Sequence, residues 1–170
     1  PLFNTAFELG DAIHDAGFDV VLHATNHTMD KGAKGVENCI SFWETNYPDI
    51  TVLGIFDSQE EQNTIPVIEK NGIRIAMLNY TYSLNGIPLP EDKRHLVTLL
   101  KWENRDYIRS QVKQARTLAD IVIVFPHWGT EYVYEPDKNQ LFWTGLFAEE
   151  GVDLVIGTHP HVLEPVEWVD

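Results

Sequence analysis

Three short stretches hold the residues best suited to chemistry: Asn26-His27 with Asp30 close behind, His127, and His159-Pro160-His161. Neutral imidazoles are natural ligands for Zn, Mn or Fe, and an amide oxygen can serve as a hard ligand. Two imidazoles two residues apart in an extended loop can aim at different positions of a binuclear centre, with Pro160 limiting their freedom. His27 suits an acid or electrostatic stabiliser at a substrate oxygen, and Asp30 could hold the imidazole's other N–H. Each signal has a bland alternative. A His-x-His pair is weak evidence alone and also describes two solvated loop histidines. His127 could be a core-edge histidine bonded to backbone, and Asn26 and Asp30 could merely cap the next helix. The joint occurrence, three strand ends each presenting His or Asn-His, favours a site. Trp128, Glu131 and Tyr132 beside His127 could shape a pocket, orient ligands or simply cover a core. His14 and His95 read as surface histidines and His23 as structural.

The elements that would position these residues repeat as a unit: a helical pattern, a Gly or Ala-Asp boundary, a short apolar run, then a polar loop with histidine. The first copy predicts a helix over Phe7 to Ala16 with Ala6, Leu9 and Ile13 on one face, and a strand over Phe18 to Leu22. The second predicts a helix from about Arg105 to Leu118 and a strand over Asp120 to Phe125. The third predicts a helix over Gln140 to Glu150, ended by Gly151, and a strand over Val152 to Ile156. Continuous apolar strands preceded by helices imply a parallel sheet covered on both faces, with all three loops at the strand carboxyl ends, where open α/β sheets place ligands. Between the first two copies, a helix is expected from about Gly35 to Thr45 with Val36, Cys39, Ile40 and Trp43 inward, then a short strand over Ile50 to Leu53. Asn71-Gly72 signals a hairpin between Thr64–Glu69 and Ile73–Tyr80. Ser83 to Trp102 reads as an irregular excursion over the surface.

Composition narrows the chemistry. The 170 residues are 44% hydrophobic and 22% charged, ordinary for one globular domain. A formal charge of −14, from 26 acidic and 12 basic residues, repels phosphate backbones, so no nucleic-acid partner is expected. The single cysteine, Cys39, excludes an intramolecular disulfide and a thiolate-rich zinc site. No apolar run approaches the roughly 20 residues that span a bilayer. The first residue is Pro1, and the last ones open what reads as a new strand. The expectation is therefore an excised fragment, residues 1–170 forming a single domain truncated at the N-terminus.

At these residues the sequence resembles the bacterial capsule-synthesis family typified by CapA and PgsA, the poly-γ-glutamate biosynthesis proteins of the metallophosphatase-like superfamily. Thr25-Asn26-His27 through Asp30-Lys31-Gly32 resembles the family's Asn-His-x-x-Asp-x-Gly block. Pro126-His127-Trp128-Gly129-x-Glu131-Tyr132 and Gly157-x-His159-Pro160-His161-Val162 resemble its His-Trp-Gly-x-Glu-Tyr and Gly-x-His-Pro-His blocks. The resemblance spans nearly the whole chain. It implies a layered α/β sandwich with a largely parallel sheet, of the calcineurin-like type. It also implies a binuclear centre of divalent Mn, Zn or Fe, with Asn26, His127 and His159 on one metal and His161 on the other. His27 would lie near the scissile phosphate, backed by Asp30. Thr25 replaces the superfamily's Gly, and the acidic residue lies three positions after His27 instead of next to it.

The superfamily's Asp-x-His and Gly-Asp motifs, with the bridging carboxylate, precede the Asn-His block, and nothing among the first twenty-five residues matches them. Those ligands are expected upstream, and the fragment alone is expected to hold metal poorly and to be inactive. The function expected is capsule or poly-γ-glutamate biosynthesis through a metal-dependent, phosphoesterase-like hydrolase site. The alternative is a non-catalytic scaffold or polymer-handling subunit of the capsule complex. Expected partners are the capsule polymer or a phosphorylated or acyl substrate, and other capsule-synthesis subunits. The resemblance also implies the extracellular face of the bacterial membrane, reached through an unseen N-terminal anchor.

Overall fold

The structure, a computed structural model, describes residues 2–169. Its strands fall into two sheets instead of the single one expected. β1 (Val20–Leu22) pairs in parallel with β2 (Thr51–Leu53), and a four-stranded sheet runs in the order β3-β4-β5-β6. In the larger sheet β4 (Ile73–Thr81) and β5 (Ile121–His127) pair in parallel, from Ile75 opposite Ile121 to Thr81 opposite His127. β6 (Leu154–Val155) adds in parallel to β5. β3 (Val67–Lys70) is antiparallel to β4 across the expected hairpin, where Asn71 and Gly72 take φ of 55° and 80°. Both values lie in the left-handed region that a tight two-residue hairpin requires. The mixed α/β layering, with mainly parallel pairing and no closed barrel among the described residues, accords with a metallophosphatase-like fold.

Beyond the short helix α3 (Gln59–Asn63), α4 (Arg105–Leu118) and α5 (Lys138–Glu149) follow the apolar periodicity. Ile108, Val112 and Ala115 of α4, with Trp143, Leu146 and Phe147 of α5, meet Val122 and Val124 of β5 in one core. α5 opens two residues earlier than the pattern implied, because Asp137 and Gln140 form a reciprocal capping box there. A second core joins Val36 and Ile40 of α2 (Gly32–Asn46) to Ala24, Met29, Leu84, Leu96 and Val97. Ser83 to Trp102 therefore does not ride over the surface. Its Leu84, Leu96, Val97 and Leu100 are buried, while charges such as Lys93 turn outward to pair with Glu37. The aperiodic spacing of those apolar residues concealed a core segment.

Two expected elements are less covered than predicted. α1 forms over Glu8–Asp15 with Leu9 half exposed, and β6 is two residues long with Leu154 and Ile156 exposed. The two sheets meet at Asn79, whose Oδ1 accepts the Ala24 N–H at 2.8 Å while its Nδ2 donates to the Phe125 carbonyl at 2.8 Å. That side chain ties the end of β1 to the end of β5. It brings the histidine-bearing loop of the small sheet up to the two that leave the larger sheet, which the Trp128 N–H to Thr158 carbonyl bond joins to each other.

Candidate metal centre

The first loop is shaped by Thr28, whose hydroxyl accepts the Thr25 N–H at 2.9 Å and donates to the His23 carbonyl at 2.7 Å. This turn sets Asn26 and His27 just past β1. Asp30 Oδ2 lies 2.8 Å from His27 Nδ1 and accepts the Phe3 N–H at 2.7 Å. Burial alone would raise the Asp30 carboxyl, but the Phe3 N–H and the His27 ring together hold it below its ordinary value. α2 starts at Gly32 with no side-chain cap, so Asp30 serves the imidazole and not the helix. The other oxygen, Asp30 Oδ1, is buried without a partner among the described residues.

β5 ends on His127. Its Nε2 lies 3.0 Å from Asn26 Oδ1, 101 residues away in sequence, and its Nδ1 lies 2.9 Å from Thr158 Oγ1. Burial, then the neighbouring His159, His27 and His161, push the His127 imidazole down to about 4, so it is neutral at physiological pH. His159 is buried, its ring 4.8 Å from that of His127 and its Nε2 3.0 Å from the Tyr82 hydroxyl. Burial lowers the His159 imidazole as well. His161 is exposed, its ring 5.9 Å from His159. Both loop histidines adopt positive φ, 101° at His159 and 59° at His161.

The structure thus gathers Asn26, His27, Asp30, His127, His159 and His161 at one place. Sequence reading missed Tyr82, Asn85 and Thr158 as their supports. Asn85 Oδ1 accepts the Asn26 amide N–H at 3.3 Å, and its own amide lies 3.4 Å from His27 Nδ1. The Asn85-Gly86 pair, with φ of 53° and 79°, is a turn signal in the sequence that marks this loop. His23 is structural, as expected: Trp43 Nε1–H donates to its Nε2 at 2.8 Å. His14 sits at the surface against Asp49.

These residues fit a divalent ion. Two ligands at right angles on an ion with bonds of roughly 2.1 Å lie about 3.0 Å apart. Asn26 Oδ1 and His127 Nε2 lie 3.0 Å apart. The desolvated imidazoles offer neutral lone pairs, and Thr158 fixes the far nitrogen of His127 as second-layer partners of metal-binding histidines do.

The family model for the bacterial capsule synthesis protein PGA_cap matches residues 1–170. The PGA biosynthesis protein CapA of Bacillus subtilis (strain 168) is 31% identical over 155 residues, covering 91% of this chain and 40% of that protein. The capsule biosynthesis protein CapA of Bacillus anthracis is 31% identical over 159 residues, covering 90% of this chain and 37% of that protein. The chain therefore spans about 40% of the length of the curated relatives it matches. With its three histidine blocks gathered at the strand ends and a family match along its whole length, the chain belongs to the bacterial capsule synthesis family PGA_cap.

Proposed function

We propose that this chain contributes the histidine and amide side of a divalent-metal hydrolase centre used in capsule polymer synthesis. The observation that carries the reading is the 3.0 Å approach of Asn26 Oδ1 and His127 Nε2, two potential ligands from different sheets, beside a carboxylate-held His27. Asn26, His127, His159 and His161 would hold divalent Mn, Zn or Fe, further ligands coming from the rest of the protein. Such ions supply Lewis-acid polarisation of a phosphoryl or acyl oxygen and activation of water.

The chain's own residues do the remaining work. Asp30 binds His27 Nδ1, which orients the ring, and in its imidazolium form the ring donates its Nε2 proton to the leaving oxygen. Tyr82 and Thr158 hold His159 and His127 by their outer nitrogens, and Asn85 holds the Asn26 amide. A net charge of −14 repels nucleic acid and an anionic polymer alike, so contact with such a polymer requires bridging cations. We place the protein on the extracellular face of the membrane, anchored outside the described residues, among other capsule-synthesis subunits.

Metal analysis and a phosphodiesterase assay on the protein with its upstream ligands test this reading. Bound divalent metal is expected, together with a loss of turnover of at least about 100-fold in His127→Ala and His159→Ala. Absence of metal, with capsule production still abolished by His159→Ala, would transfer the site to a scaffold role and end the hydrolase reading.

A further inference from the structure

We infer that Glu131 supplies an anionic ligand to the cation held by His161, beside the one held by His159, an assignment that rests on the metal-centre reading above. One carboxylate oxygen of Glu131 and one ring nitrogen from each of His159 and His161 all lie within 4.8 Å of one another. Glu131 Oε1 stands 4.0 Å from His161 Nε2, too far for a hydrogen bond. Two ligands on opposite sides of one ion lie at most roughly 4.2 Å apart. The 4.0 Å pair is within that reach, and the Glu131 side chain, 49% exposed, has room to rotate closer to His161.

The backbone holds Glu131 in this position from both sides. Trp128 N–H donates to the Thr158 carbonyl at 3.0 Å, and Tyr132 N–H donates to the Pro160 carbonyl at 2.7 Å. The Tyr132 ring stacks on the His161 ring at 5.6 Å with 24° between planes. Gly129 and Tyr132 bend the loop through φ of 87° and 63°. The loop after β5 is therefore fastened to the His159-Pro160-His161 loop on either side of the carboxylate.

Charge gives the arrangement its purpose. Amide oxygens and imidazole nitrogens bind a metal as neutral donors, and a dication among neutral donors alone keeps its full charge in a partly dehydrated place. Asp30 is committed to His27 and the Phe3 N–H. Glu131 supplies the negative charge from within this chain.

The test uses the full-length protein, stripped with chelator and titrated with zinc by calorimetry and with cobalt by visible absorption. Wild type, Glu131→Gln, His159→Ala and the exposed control Glu135→Gln are compared, with near-ultraviolet circular dichroism to confirm folding. Glu131→Gln is expected to weaken one class of site at least about tenfold and to change the cobalt d–d bands, while Glu135→Gln matches wild type. If Glu131→Gln superimposes on wild type while His159→Ala loses binding, Glu131 is no ligand and the metal centre stands without it. Equal weakening by both glutamate variants would reduce the effect to general surface charge and overturn the assignment. If wild type binds neither metal, the metal centre and the Glu131 assignment fall together.

Discussion

His23 accepts the Trp43 indole N–H on Nε2 and lies against Cys39, so the ring must be neutral to keep its place. Burial drives its pKa from 6.5 to about 4. The folded value lies below the unfolded one, so as the pH falls the unfolded chain takes up this proton first. Stability is therefore full above about pH 6.5 and declines until about pH 4, a change of about 3 kcal/mol from this residue. His127, also pushed to about 4, acts in the same window and the same direction. Urea midpoints measured from pH 7 to pH 4 should fall steeply, and less steeply in His23→Gln; an unchanged slope in that variant would refute the assignment. At this scale the sequence was legible where partners are near neighbours. His27 and Asp30 are three residues apart, and His159 and His161 two, so spacing alone brings them together. Tyr82 and Thr158 reach the site only through long-range packing, and nothing in their local pattern distinguishes them from other loop polar residues, while Asn85 with Gly86 carries a turn signal but no sign of its partners.

Among the elements, the joint between the two sheets decides whether there is a site at all. Asn79 closes it with an acceptor for Ala24 and a donor for Phe125, and it is 5% exposed. Asn79→Leu keeps the size of the side chain but leaves the buried Ala24 N–H unpaired. A loss of about 1–3 kcal/mol in urea unfolding is expected. Asn26 and His127, which stand on opposite sides of the joint, should also lose metal affinity. An unaltered unfolding midpoint would show that the sheets are held elsewhere. Helices α2, α4 and α5 and the Asn71-Gly72 hairpin were readable because periodicity and turn chemistry are local. The division into two sheets was not, since Val20–Leu22 and Ile121–His127 carry the same β-branched signal and strand partnership is not written in either. Ser83 to Trp102 escaped for a related reason: its buried Leu84, Leu96 and Val97 follow neither a helical nor a strand period.

For the whole molecule, a net charge of −14 on 170 residues makes self-repulsion a real term in stability. Raising the salt from about 10 mM to about 150 mM shortens the screening length from roughly 30 Å to 8 Å. We expect a gain of about 1 kcal/mol, or about 2–4 °C in thermal midpoint, in sodium chloride with no divalent ion present. A midpoint that falls with salt would instead mean that ion pairs such as Arg74–Asp120 and Arg116–Asp153 dominate. The same global stability contains an opposing cost from the backbone at His159 and His161. Left-handed conformations at residues with a β-carbon are disfavoured by about 1–3 kcal/mol each, and glycine would occupy both without strain. Selection for thermal robustness alone would therefore drift toward glycine at these two positions. A heat-hardened descendant of this protein would have exchanged its imidazoles for a quieter loop, and screening for tolerance to heat would discard the histidines that a screen for metal retains.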